Sequence, residues 1–272
     1  MGQVVEVVHT LPEGKGVWGV TSLDNEIYVL RHKERDQVEV YKVDTYQLQR
    51  CLTVPNGRSI AGITSCEHYH CLYIGDIDCI HRLDLYVKGA AIRWPLDDVP
   101  FGLSVNAAHN VIVTHPAVRK IKEFSSHGDL LRELTLPDDV ITPRHTIQLR
   151  SGQFIVCHGY FDDPIHGVCV ISADGRHIVH SHGGQRGSDS GQYNEPVHMA
   201  LDDNGNVFVL DQQNWRVTLL SPTLDYMREV VSRDKLKGEP YTLHLDVQRR
   251  RLYVVDSDES QSTTGRVAVL SV

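Results

Sequence analysis

The sequence predicts an all-β fold: a six-bladed β-propeller of four-stranded antiparallel blades, its last blade closed by the N-terminal strand. Three observations predict it. Short apolar, β-branched and aromatic runs recur at roughly 40 to 50 residues, the spacing of propeller blades. Each recurrence reads as strand, turn, strand, with Asp, Asn or Gly in several of the turns. The last recurrence stops one strand short, and the N-terminus carries a spare strand of matching character.

The clearest run is Val207-Phe208-Val209-Leu210-Asp211. Its counterparts are IYVLR from Ile27, LYIGD from Leu72, VIVTH from Val111, FIVCH from Phe154 and LYVVD from Leu252, read as the second strands of six blades. Upstream of each lies a first strand with its turn (GVTSLDNE, GITSCEHYH, GLSVNAAHN, TIQLRSGQ, MALDDNGN, LHLDVQRR), and downstream a third (VEVYKV, IHRLDL, IKEFSS, VCVISA, VTLLSP, VAVLSV). Most repeats add a fourth, such as LLRELTLP or YMREVV, completing a blade. The blades fall at roughly 13–54, 57–96, 98–137, 140–182, 190–231 and 236–272, within one propeller domain over 1–272.

Because VAVLSV ends at Val272, residues about 3 to 11 are expected to pair with that last third strand and cover its open edge. Independent β-domains or a β-sandwich are the alternative architecture, and the regular period favours the ring. The longest irregular stretch, HGGQRGSDSGQYNEP, reads as a loop between the fourth and fifth blades.

Composition narrows the function classes. With 27 basic and 35 acidic residues the formal charge is −8, the opposite of a global footprint for phosphate backbones. DNA is therefore not an expected partner. No long apolar run and no basic-then-apolar leader is present, so neither membrane nor secretion is expected. The six cysteines show no C-x-x-C and no zinc-ribbon spacing, which points to reduced thiols and a cytoplasmic setting.

One repeat carries enough detail to suggest a family. GQYNEPVHMALDDNGNVFVLDQQNWRVTLLSP resembles an NHL repeat in Gly191-Gln192-Tyr193, Pro196, Ala200, Asp202, Gly205, Val209-Leu210-Asp211 and Asn214-x-Arg216-Val217. The sixth repeat retains Pro240, Asp256 and Arg266-Val267, while the first, third and fourth replace the second-strand Asp by Arg31, His115 and His158. The chain is most similar to the C-terminal domain of TRIM-NHL proteins. That resemblance implies a substrate-recognition module of a TRIM-like ubiquitin ligase, whose RING, B-box and coiled coil are not in this sequence. The lead-in GSDSGQY is not a phosphate loop, for it lacks G-x-G-x-x-G and a following helix.

Propeller geometry puts the start of each first strand and the end of each second strand on one face. Trp18, Ala61, Phe101, Arg144, Val197 and Tyr241 then occupy one equivalent position, followed by Gly19, Gly62, Gly102, His145, His198 and Thr242. The second-strand ends add Arg31, Asp76, His115, His158, Asp211 and Asp256. The expected ligand-binding face is Trp18, Arg31, Phe101, Arg144, His145, His198 and Tyr241, a composition enriched at binding hot spots. A protein or peptide partner ranks first.

RNA, bound by some TRIM-NHL relatives, ranks second. Arg31, His32, Lys33, Arg35 and Arg144 favour it, and Asp76, Asp211, Asp256, Asp258 and Glu259 on the same face oppose it. A metal-dependent enzyme ranks third: His145 and His198, flanked by His158 and Asp211, are metal-ligand types. An amidating lyase with an NHL-like propeller has His directly after the Pro, where this chain has Arg144, Val197, Phe101 and Tyr241. No H-E-x-x-H or G-x-S-x-G occurs, and no catalytic residue, cofactor or metal is assigned. The Asp residues closing second strands have a structural task open to them, accepting backbone N–H groups.

Overall fold

Second strands of the repeats are predominantly apolar, as strands covered on both sides must be. Val111–His115, Phe154–His158 and Val207–Asp211 are buried at every residue. The outer strand Leu130–Thr135 instead alternates between exposed and half-buried positions, because one of its faces meets solvent.

In the computed structural model, which describes residues 6–32, 36–55, 62–87, 91–258 and 261–272, the runs form twenty-four strands in six four-stranded antiparallel sheets. Strand β1 (Glu6–Lys15) precedes blade one, which comprises β2 (Val17–Leu23), β3 (Glu26–His32), β4 (Asp36–Lys42) and β5 (Leu48–Thr53). Blade two comprises β6 (Ile63–Cys66), β7 (Cys71–Gly75), β8 (Cys79–Asp84) and β9 (Ala91–Pro95). Blade three comprises β10 (Gly102–Val105), β11 (Val111–His115), β12 (Lys120–Phe124) and β13 (Leu130–Thr135). Blade four comprises β14 (Pro143–Gln148), β15 (Phe154–His158), β16 (Ile165–Ile171) and β17 (Ile178–Gln185). Blade five comprises β18 (Pro196–Leu201), β19 (Val207–Asp211), β20 (Arg216–Leu220) and β21 (Tyr226–Val231). Blade six comprises β22 (Pro240–Asp246), β23 (Arg251–Asp258) and β24 (Gln261–Ser271), with β1 as its outer strand.

The inner strands β2, β6, β10, β14, β18 and β22 neighbour one another in cyclic order, which makes the assembly a β-propeller. The core is divided into six apolar clusters, one in each seam between adjacent blades. Val197, Phe208, Leu243 and Val254, for example, fill the seam between blades five and six.

Blade six closes as the sequence predicts, but with a longer strand. Pairing of β1 with β24 runs from Glu6↔Ser271 to Lys15↔Thr264 with two register shifts, so it passes the expected end at residue 11. The reason is β24, whose eleven residues offer partners beyond Val267. Leu11 is wholly buried in the seam with blade one. Residues 3–5 of the expected strand lie outside the described residues. Among the described residues there is no α-helix, and no helix is long and apolar enough to cross a membrane. All six cysteines are unpaired thiols.

Candidate functional site

One device recurs where inner strands begin. Register shifts fall between Val17 and Gly19, Pro143 and His145, Pro196 and His198, and Pro240 and Thr242. Each is a bulge in which one residue drops out of the ladder, and a bulge re-aims the side chain of that residue. The residues left out are Trp18, Arg144, Val197 and Tyr241. In blade three Phe101 N–H donates to Thr114 O at 2.9 Å, although Thr114 already pairs with Gly102, so Phe101 stands at the equivalent place. Ala61, the blade-two counterpart, lies outside the described residues.

These side chains converge on a cavity of about 430 Å³ at the mouth of the ring. Five of the seven residues expected on the binding face line it: Trp18, Phe101, Arg144, His198 and Tyr241. Trp18 and Tyr241 are the most open, at 40% and 38% exposure. Loops complete the wall. Tyr160 and Phe161 follow β15, Gln212 and Gln213 follow β19, and Glu195 and Glu239 precede β18 and β22.

Close inter-blade approach fixes this geometry. A Cβ on Gly102 would lie 2.5 Å from Arg144 O and 2.8 Å from His145 Cα, so only glycine lets blade three reach blade four here. Arg144 then packs over two rings, its guanidinium carbon 3.4 Å from the Phe101 ring centre and 4.1 Å from that of Tyr160. Burial pulls its pKa below the ordinary guanidinium value, with Tyr160, Cys157 and Glu195 acting in the opposite sense. Nε is buried without an acceptor, and no hydrogen bond or ion pair engages Arg144 among the described residues. Glu195 is buried and accepts Phe161 N–H at 3.2 Å, while Gln213 Nε2 donates to Glu239 at 3.0 Å.

Arg31 departs from the expected face. It is 2% exposed, donates through Nε to Glu39 and through Nη2 to Pro12 O at 2.6 Å, and does not line the cavity. Glu39, which also accepts Tyr41 OH at 2.7 Å, draws the guanidinium into the blade. His145 also sits beneath the rim, at 2% exposure, with Nε2 3.1 Å from Leu103 O. The other second-strand ends are interior too. His115 and His158 are buried, and Asp76 contacts His81. Asp211 and Asp256 accept Asn194 N–H and Lys237 N–H at 2.8 and 2.7 Å and pair with Arg216 and Arg266. Of the charges invoked for RNA, Lys33, Arg35 and Glu259 lie outside the described residues, as do the side chains of His32 and Asp258.

The metal constellation His145, His198, His158 and Asp211 is not assembled. His145 and His198 stack at 3.9 Å with their planes 20° apart, and lone pairs lying in near-parallel ring planes do not converge on one ion. Asp211 is committed to Arg216, Asn214 and Asn194. The described residues do bring together Asp76, Cys79 and His81, with ligand atoms within 4.8 Å of one another. That cluster is internally occupied: Arg93 Nε donates to Cys79 Sγ at 3.0 Å, and burial pushes the thiol up to about 11.

Sequence reasoning missed Tyr160, Phe161, Glu195 and Glu239. The segment GYFDDP after β15 carries the available signal, an aromatic pair at the end of a second strand where the face is already expected.

The ring and its central mouth place the chain in the class of six-bladed β-propellers. No family model and no curated protein matches the sequence. Solved structures do match. Virginiamycin B lyase from Staphylococcus aureus aligns over 96% of this chain and 98% of its own, with a TM-score of 0.64 and 12% identity. A streptogramin B lyase aligns over 97% and 99%, with a TM-score of 0.65 and 10% identity. The β-propeller domain of Cps50 (Swd1) from Myceliophteria thermophila aligns over 98% and 99%, with a TM-score of 0.62 and 11% identity. At such identities the likeness shows the fold alone.

Proposed function

We propose that this chain is a non-catalytic binding platform that recognises a protein or peptide segment through the mouth cavity. The observation that carries the reading is the bulge repeated in four blades, which, with the equivalent Phe101 of blade three, places Trp18, Phe101, Arg144 and Tyr241 around a volume suited to a few side chains. Aromatic and arginine anchors around a concave site are the composition of binding hot spots. The NHL-like residues of blade five extend the reading to the substrate-recognition module of a TRIM-like ligase. RNA ranks second. Arg144 already packs over the rings of Phe101 and Tyr160, and Glu195 and Glu239 repel a phosphate chain. Selection from a displayed library of random linear peptides with free C-termini tests the proposal. Enriched peptides should bind in the micromolar range and lose about tenfold or more in Trp18→Ala/Tyr241→Ala. Enriched peptides indifferent to that double substitution, or no enrichment, would sink it.

A further inference from the structure

We propose that the cavity is built to seat a carboxylate of its partner, a peptide C-terminus or an Asp or Glu side chain, on the free edge of Arg144. This rests on the peptide-binding reading above. The argument begins with an imbalance. A guanidinium at 8% exposure has been withdrawn from water, yet no carboxylate lies within ion-pair distance among the described residues. The other arginines buried to this degree in the ring behave differently. Arg31, Arg216 and Arg266 each hold an acid of their own blade, and Arg82 donates to Ser126 O at 3.1 Å with Asp84 of its own blade 4.0 Å away. A cation desolvated without its anion is costly, and a partner that supplies the anion recovers that cost on binding.

Geometry narrows the anion. Phe101 and Tyr160 both place a ring against the guanidinium carbon, at 3.4 and 4.1 Å, and so restrict where a ligand can reach it. Nε is sealed off, and Nη1 and Nη2 keep access to the cavity. The fork of N–H donors on Nη1 and Nη2 matches the two oxygens of a planar carboxylate. The rest of the wall fits the remainder of a peptide: Glu195, Glu239, Gln212 and Gln213 offer oxygens to backbone N–H groups. Those same two glutamates disfavour a polyanion, which separates a single carboxylate from a nucleic-acid backbone.

The test has two arms. In the first, Arg144 Nε–H is observed by nitrogen-proton NMR, assigned through its loss in Arg144→Gln, while N-acetylglycine, its amide, inorganic phosphate and a short oligouridine are titrated separately. The expected result is a saturable shift with the acid, none with the amide, and weaker shifts with phosphate and oligouridine. A shift that is stronger with phosphate or oligouridine, or equal for acid and amide, overturns the proposal.

In the second arm, peptides selected on the wild-type chain are resynthesised with the C-terminus amidated or each acidic residue changed to its amide. One such change should weaken binding about 10- to 100-fold and thereby identify the source of the carboxylate. Arg144→Gln, or Arg144→Lys should the first not fold, should erase the difference between acid and amide forms. Peptides that need Trp18 and Tyr241 yet ignore every amidation would refute the carboxylate seat and leave the peptide platform standing.

Discussion

Lowering the pH from 7 to 5 is expected to remove most of the stability of this ring. Burial holds His115, His145, His158 and His244 at about 4, against 6.5 for an imidazole in water, and holds His198 well below that ordinary value. The main cause for each is desolvation: there is no water for the imidazolium. The unfolded chain takes up protons on these rings below about 6.5 while the folded chain does not, so stability is intact above that pH and falls as the pH drops towards 4. At pH 5 a ring shifted from 6.5 to about 4 has lost about 2 kcal/mol. The four with that shift lose about 7 kcal/mol between pH 7 and 5. Asp211, raised by burial to about 6, works the other way and returns about 1 kcal/mol over the same interval. A net loss of about 6 kcal/mol is comparable to the whole stability of a typical domain. Urea unfolding followed by tryptophan fluorescence reads it directly: at a slope of about 3 kcal/mol per molar, the midpoint should fall by about 2 M. His115→Leu should recover about 2 kcal/mol of the drop. A midpoint that moves less than about 0.5 M with an unchanged slope would show that these rings protonate in the folded ring, and the reasoning would fail.

Asp211→Ala should destabilise by about 3–5 kcal/mol, because it strands the buried Arg216 and frees Asn194 N–H; thermal unfolding checks it. Gly102→Ala should cost about 1–3 kcal/mol and weaken peptide binding as well, since the new methyl presses on the backbone that carries Arg144; calorimetric melting paired with a binding titration separates the two effects. Phe101→Leu should cost about 1–2 kcal/mol through the lost cation–π face and weaken the preference for acid over amide probes, measured by titration. Deleting residues 6–15 should expose the β24 edge and produce aggregates, visible by light scattering after gel filtration.

Much of the architecture was legible because a propeller repeats. The second strands were found as apolar runs, and the third strand of blade six announced its missing partner by ending without one. The cavity positions Trp18, Phe101, Arg144, Val197 and Tyr241 were legible for the same reason: the bulge recurs at a fixed place before the inner strand, so aligning repeats aligns the bulges. What does not repeat was not legible. The destination of Arg31 depends on Glu39 of the neighbouring strand, and its location at a strand end suggested a surface that Glu39 takes away. The packing around Arg144 needs Tyr160, in a loop after the second strand where blade five carries Gln212 and Gln213 instead, so the repeat fixes the place and not the residue. Ring orientation at His145 and His198 is set by stacking between blades, which no spacing encodes.

The closing ladder also fixes how the ring yields to force. Five blades are sewn from consecutive strands, but blade six sets Arg266 against Thr10, 256 positions away, so its pairing closes the longest loop among the blades and carries the largest loop-closure entropy. In that ladder Glu6 faces Ser271, which puts these two residues at the same end of the paired strands. Tension between them therefore loads the hydrogen bonds one rung at a time, as a zip opens, instead of shearing them together. The clasp resists heat through the buried seam around Leu11 and gives way readily to a pull along the chain.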